Sequence, residues 1–271
     1  MKDKVGYEGY RIAVPPAFEE VFSHFYFSRN NSPAALTQTL LPSYRVMMMF
    51  SFGTPPFFKT REGEEITAGK CLVAGPVKQA IDYTLPPATA ILVANFKDDA
   101  FSRFFGSTCL PQHQPTHPDT LLTDNCFTQL WEELNQLESI EQRVNHILDF
   151  CKPYLKARDH LAEQIAGFHN NNLSPVKEIS EKNNLSERAV QMSHKKHFGY
   201  SAKELNRYQR FLKAIEQIQA IAAADAKIDW FEIIANCGYY DQSQLIHDFK
   251  HYLNLSPSKY LRFQQDICNA R

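Results

Sequence analysis

Apolar and polar positions change their period partway along the chain. Up to about Gly106 the apolar residues come in short runs: YRVMMMFSF (Tyr44–Phe52), GKCLVAGPV (Gly69–Val77) and TAILVANF (Thr89–Phe96). They are broken by TPP, REGEE and LPP. Runs this short between Gly and Pro breakers suit strands better than buried helices, so the pattern predicts an all-β sandwich or barrel. The segment LPQHQPTHPDT (Leu110–Thr120) has three prolines and no apolar period, which marks a linker or loop. From Asp124 the period lengthens. Phe127, Leu130, Trp131, Leu134 and Leu137, then Val144, Ile147, Leu148 and Cys151, recur at three- and four-residue steps. They predict an amphipathic helical connector over about Asp124–Tyr154. Its stripe suits a copy of itself in a second chain or the chain's own β part equally well.

Everything after the connector reads helical. HLAEQIAGFHNNN ends in an Asn run suited to a helix stop, and SPVKEISEKNN offers Ser174 as N-cap with Pro175 in the first turn and Glu178 close behind. In GYYDQSQLIHDFKHYLNLSP (Gly238–Pro257) a helix should start after Asp241 and stop near Asn254. Leu245, Phe249, Tyr252 and Leu253 form its apolar face, while Ser243, Gln244, His247, Lys250 and His251 form the polar one. The short helix before it, DWFEIIANC, brings Phe231, Ile233 and Ile234 to pack across a turn holding Gly238, a helix-turn-helix reading.

The same arrangement occurs fifty-five positions earlier. Ser186 stands against Asp241, Val190 against Leu245, Lys195 against Lys250 and Ser201 against Ser256. Between the units, Ala202–Ala224 reads as one long helix with Leu205, Tyr208, Phe211, Leu212, Ile215, Ile218 and Ile221 inward. Such a brace can hold two helices about 34 Å apart, one turn of DNA.

Charge adds a modest bias. The net charge is −1, but from Arg158 onward there are 15 Lys+Arg against 13 Asp+Glu, with six of the ten histidines. This does not by itself establish a polyanion partner. The six cysteines form no C-x-x-C pair, so neither a zinc knuckle nor a disulfide framework is indicated and buried free thiols are expected. No segment gives eighteen apolar residues in a row, and the first twenty residues show no cleavable leader pattern; a soluble, cytoplasmic protein is the expectation.

On these residues the region from about Arg158 to Arg262 resembles the AraC/XylS-type DNA-binding domain. The resemblance is carried by Gly238, Tyr239, Asp241, Ser243, Leu245, Phe249, Lys250, Ser256, Pro257, Tyr260 and, one place later than usual, Arg262. His247 stands where the family commonly has Arg, and Asn254 where it has Gly. Asn tolerates the left-handed conformation, so the second departure costs little. The first matters more, because Arg contacts guanine bidentately and His cannot, a difference of about 1–3 kcal/mol. The resemblance implies that Arg188, Ala189, Met192, Lys195 and Lys196 of the first unit, and Ser243, Gln244, His247, Lys250 and His251 of the second, face double-stranded DNA. Lys203, Arg207 and Arg210 add cations for phosphates, while Glu187 and Asp248 should weaken such contacts. His194, in the place of a core Phe, with Ser193 and His197 on the same face, predicts a loosely packed first unit.

At the front of the chain, PPAFEEVFSHFYF followed by TLLPSYRVMMMFSFG is similar to the cupin-like N-terminal domain of many AraC-family regulators. That likeness implies a small-molecule effector or dimerisation there, with Tyr44, Arg45, Phe57, Phe58 and Tyr83 as candidate lining residues. The expected architecture is therefore α+β with two domains. Residues 1–110 form a small β-barrel or cupin-like sensing or dimerisation domain, 111–157 a proline-rich loop and connector, and 158–271 an all-α double helix-turn-helix with units at about 176–198 and 230–253. The function implied is that of a transcriptional regulator with DNA, an effector, RNA polymerase and a second copy of itself as family-type partners, no membrane, no cofactor and no catalytic residues. Two rivals stay open. One is a protein-interaction module with a degenerate helix-turn-helix. The other is a metal-dependent cupin enzyme, for which the first 110 residues offer one histidine, His24, and the proline-rich segment His113 and His117. No G-x-S-x-G, phosphate loop or H-E-x-x-H motif is present.

Overall fold

A computed structural model describes residues 6–59, 63–106, 115–122, 124–168, 175–224 and 226–262. The strand-rich part runs β1 (Tyr7–Ile12), β2 (Phe22–Asn30), β3 (Leu36–Leu40), β4 (Met47–Gly53), β5 (Phe57–Lys59), β6 (Glu65–Thr67), β7 (Cys71–Ala74), β8 (Ile81–Leu85) and β9 (Thr89–Phe96). Helices follow: α1 (Ala100–Phe105), α2 (Asp119–Leu122), α3 (Cys126–Gln136), α4 (Ile140–Cys151), α5 (His160–Ala166), α6 (Pro175–Asn183), α7 (Glu187–Phe198), α8 (Ala202–Ala223), α9 (Trp230–Cys237) and α10 (Gln242–Leu253). The β part followed by helices is the α+β architecture expected. The strands, however, make two separate antiparallel sheets, β1-β2-β9-β4-β7 and β3-β8-β5-β6, instead of a closed barrel.

The central strands of the larger sheet explain why MMMFSF and AILVANF do not alternate with polar residues. Side chains alternate in β4 as in any strand, but both faces are covered. Met48, Phe50 and Phe52 join one apolar cluster with Ala90, Leu92, Ala94 and Phe96 of β9 and Phe25 and Phe27 of β2. Met47 and Met49 join the other, with Ile91 and Val93, Leu85 of β8 and Phe58 of β5.

The first cluster is closed by helices. Phe101 and Phe104 of α1, Phe127, Leu130 and Leu134 of α3, and Val144, Ile147, Leu148 and Cys151 of α4 pack into it. The connector stripe thus lies in the chain's own core, which decides between the two uses left open for it. It is also two helices, not one: Leu137 turns extended, and Ser139 restarts the chain with a capping box to Gln142. Asp119 is buried and accepts from Phe127 N at 2.7 Å, Thr128 N at 3.1 Å and Thr128 Oγ1 at 2.6 Å, fixing the start of α3.

The chain divides into two compact units at a place the sequence does not mark. One contains 5–77 and 81–202, so that α5, α6 and α7 belong with the strands; the other contains Lys203 onward with the loop Lys78–Ala80. Among the described residues no helix is long and apolar enough to cross a membrane. His113, Cys109, Cys268 and Ser174 lie outside the described residues. Cys71, Cys126, Cys151 and Cys237 are buried free thiols.

Candidate nucleic-acid interface

In the C-terminal unit α9 and α10 form the second helix-turn-helix. Asp229 caps α9 through Phe231 N and Glu232 N, and Gly238 ends it in the left-handed conformation at φ 77°. Asp241 then caps α10, accepting from Gln244 N at 2.8 Å. Asn254 ends α10 at φ 58°, the conformation a Gly would take there. Leu245, Phe249 and Tyr252 are fully buried. Phe249 packs on Phe211 of α8 at 5.1 Å and on Tyr260 at 5.7 Å, and Tyr252 on Phe211 at 4.5 Å.

The opposite face stays open. Ser243, His247 and Lys250 are exposed, Gln244 and His251 half-buried. Gln244 does not point wholly outward: its Oε1 accepts from Tyr240 N at 2.9 Å, just ahead of the Asp241 cap. In α9, Ile233 is buried and Ile234 half-buried, but Phe231 is 81 % exposed and does not pack across the turn as its spacing suggested.

Asp248 overturns a second expectation. It lies within the apolar stripe, at 1 % exposure, and does not oppose phosphates from the surface. Arg207 Nε of α8 donates to its Oδ1 at 2.6 Å and Arg210 reaches Oδ2 at 3.4 Å. Both arginines are therefore committed inside the unit and do not serve as free phosphate contacts. Arg210 also lies 4.7 Å over the Tyr239 ring, and burial together with the Asp248 charge pushes the Tyr239 phenol well up. Arg207 continues outward, a terminal guanidinium nitrogen 2.9 Å from His247 Nδ1. The sequence held a signal for this: an acid between Leu245 and Phe249 on a buried face requires a partner.

The first helix-turn-helix repeats the design. Ser186 caps α7 through Ala189 N, and Gly199 ends it at φ 78°, so the caps at Ser186 and Gly199 stand against Asp241 and Asn254 at the expected offset. Its core is Ala162, Ile165, Val176, Ile179, Val190, Phe198 and Ala202. His194 does not loosen it. The ring is 3 % exposed, donates from Nδ1 to Tyr200 O at 2.7 Å, and packs on Phe198 and Tyr200. Outward stand Arg188, Met192, Lys195 and Lys196, all exposed, with Ala189 half-buried; Glu187 is exposed beside them in the first turn. The far end of α7 meets α1, where Ser102 Oγ is 3.1 Å from His197 Nδ1, and Arg158 before α5 pairs with the buried Asp99 at 2.7 Å.

The candidate effector residues do not converge. Phe58 and Tyr83 face the space between the sheets, 6.5 Å apart. Phe57 lies on the other face of β5. Tyr44, at φ 54°, stacks edge-on to Tyr200 at 5.1 Å, and Arg45 is exposed next to it. The sequence missed Tyr26, which shares the inter-sheet face with Tyr83 and meets the Tyr7 hydroxyl at 3.0 Å. Among the described residues no group of three or more His, Cys, Asp or Glu is placed to hold a metal ion.

Comparison with known proteins agrees with the C-terminal geometry. Residues 179–262 match the model of a helix-turn-helix domain. No curated protein matches. Among solved structures, ToxT from Vibrio cholerae O395 is similar at 13 % identity over 97 % of this chain and 99 % of that one, with a TM-score of 0.38. Wild-type ToxT of strain SCE256 with unsaturated fatty acid bound is similar at 13 % identity over 86 % and 96 %, TM-score 0.36. A putative ethanolamine utilization protein Q from Salmonella typhimurium LT2 covers 33 % of this chain and 68 % of its own at 12 % identity, TM-score 0.26. The segment 179–262, with its capped and paired helices, is a helix-turn-helix domain.

Proposed function

We propose that this chain regulates transcription by laying α7 and α10 in the major groove of duplex DNA. Arg188, Ala189, Met192, Lys195 and Lys196 serve one site, and Ser243, Gln244, His247, Lys250 and His251 the next. One observation carries the reading: α10 has Leu245, Phe249 and Tyr252 fully buried while Ser243, His247 and Lys250 on its other side are exposed. A helix packed on one face with polar and cationic groups on the other has the form of a recognition helix. With few exposed cations on these faces, binding rests on a small number of phosphates and weakens with salt in proportion to them.

The strand-rich part acts as the sensing domain in this reading. A small effector would sit between the two sheets, against Phe58, Tyr83 and Tyr26. Ser28 lies on that face, fully buried, and its Oγ has no hydrogen-bond partner of regular geometry. RNA polymerase and a second copy of the chain are the further partners this function calls for.

Selection of bound sites from genomic fragments by the full chain, at stated salt and with and without a metabolite extract, tests this. A direct repeat with about ten base pairs between its halves supports two reading helices. A single half-site assigns reading to one unit, and no enrichment under either condition ends the proposal.

A further inference from the structure

Arg207 approaches His247 from α8 with a terminal nitrogen 2.9 Å from Nδ1. A guanidinium carries only donors, so Nδ1 must be the acceptor. A neutral imidazole has one N–H, and with Nδ1 accepting, that hydrogen is on Nε2. The guanidinium is itself held in place: Nε donates to Asp248 Oδ1 at 2.6 Å, and the carboxylate is buried, with Arg210 at its second oxygen. The chain of contacts runs from a buried acid through a fixed fork to an exposed ring on the polar face of α10.

We infer that Arg207 is a positioning residue that fixes His247 as the Nε2–H tautomer, so that α10 offers a single donor to the base beneath it, accepting either purine through N7 and rejecting cytosine. The inference rests on the DNA-binding reading. In the major groove, adenine and guanine both present N7 as an acceptor, while cytosine presents only its N4 amino donor. A single N–H directed at N7 does not tell guanine from adenine, whereas an arginine uses O6 and N7 together and selects guanine. Thymine O4 is an acceptor too, so specificity at this base is the exclusion of cytosine and not the choice of one base. A histidine free to exchange tautomers would lack even that, because an unprotonated Nε2 accepts from cytosine N4 as readily as Nε2–H donates to N7.

Two measurements on the full chain decide it. The first is the 15N spectrum of histidine-labelled protein without DNA, with the His247 signals assigned as those lost in His247→Asn. The expected result is a protonated Nε2 and an unprotonated Nδ1; the opposite tautomer or an averaged mixture overturns the inference. The second uses the selected DNA, at the base whose preference disappears in His247→Ala. Replacing that purine by its 7-deaza analogue is expected to weaken wild-type binding about tenfold and leave His247→Ala binding unchanged. Cytosine there should cost at least as much. Wild-type indifference to the 7-deaza base, tolerance of cytosine, or no base that responds to His247→Ala each overturns it. Arg207→Met should reduce the cytosine penalty while keeping His247. If that variant does not fold, the two wild-type measurements still decide. Failure of the DNA-binding reading shows differently: no enriched site, with the His247 tautomer unchanged.

Discussion

Arg207 Nε lies 2.6 Å from Asp248 Oδ1, joining α8 to α10 across forty-one residues of sequence. The carboxylate is almost wholly buried while the Arg207 side chain keeps 31 % of its surface exposed. The two ends of the pair therefore respond differently to removal. Arg207→Ala leaves a buried charge with Arg210 at 3.4 Å as its remaining arginine and should cost about 3–5 kcal/mol. Asp248→Asn leaves two arginines that can turn to water and should cost about 1–2 kcal/mol. Urea unfolding of both variants checks the order; equal losses would contradict the burial asymmetry.

Phe249 and Phe231 give a second contrast. Phe249 is fully buried against Phe211 and Tyr260, so Phe249→Ala should cost about 3–5 kcal/mol. Phe231 is 81 % exposed, and Phe231→Ala should change stability by no more than about 0.5 kcal/mol. Thermal unfolding compares the pair directly.

On the polar face of α10, Gln244→Ala should act mainly on stability, by about 0.5–1 kcal/mol, because its Oε1 accepts from Tyr240 N at the start of the helix. Lys250→Ala should leave stability alone, weaken all DNA sequences alike and lower the slope of log affinity against log salt by about one. Titrations at several salt concentrations, read beside melting curves, separate these roles.

His24 makes the strand-rich part sensitive to acid. Its Nδ1 is 3.0 Å from Ser23 Oγ and its Nε2 is 3.3 Å from Asn95 Nδ2. Burial first, then the charges of Arg11 and Arg45, hold its pKa below the ordinary 6.5. The folded state then binds fewer protons than the unfolded one just below that pH, so this contribution is present above about pH 6.5 and is lost as pH falls through the folded value. His24→Asn should flatten the decline in melting temperature between about pH 7.5 and 5. An unchanged decline would mean other groups cause it.

At high pH the inter-sheet face should fail first. Burial, followed by the hydrogen bond with Tyr7, pushes the Tyr26 phenol from 10.0 up to about 12. Here the folded state holds the proton longer, so the contribution is complete below pH 10 and lost as pH rises through 12. Tyr26→Phe should lessen the alkaline fall in stability, measured by urea unfolding between about pH 9 and 11.

Much of this was readable from neighbouring residues. The strand runs over β4 and β9, the caps Ser186 and Asp241, the left-handed stops at Gly199 and Asn254, and the repeat that relates them follow from interactions within about four positions. The buried and open faces of α10 followed from its period in the same way. Other features were misread for a matching reason. The connector was read as one helix because its apolar spacing survives the Leu137–Ser139 break, and Phe231 was placed inside because spacing gives a face without saying whether anything covers it.

The sequence by itself determined most of the elements, most of their ends and the polar sides of α7 and α10, since hydrogen bonds and side-chain period act locally along a chain. The tertiary structure alone decided that the strands form two open sheets, that the connector stripe closes over one of them, that His194 is a satisfied core residue, and that Asp248 and Arg207 hold His247. Each of these depends on which distant groups meet, and a buried polar group takes whatever partner the fold brings to it, because leaving it unpaired costs more than any local preference supplies.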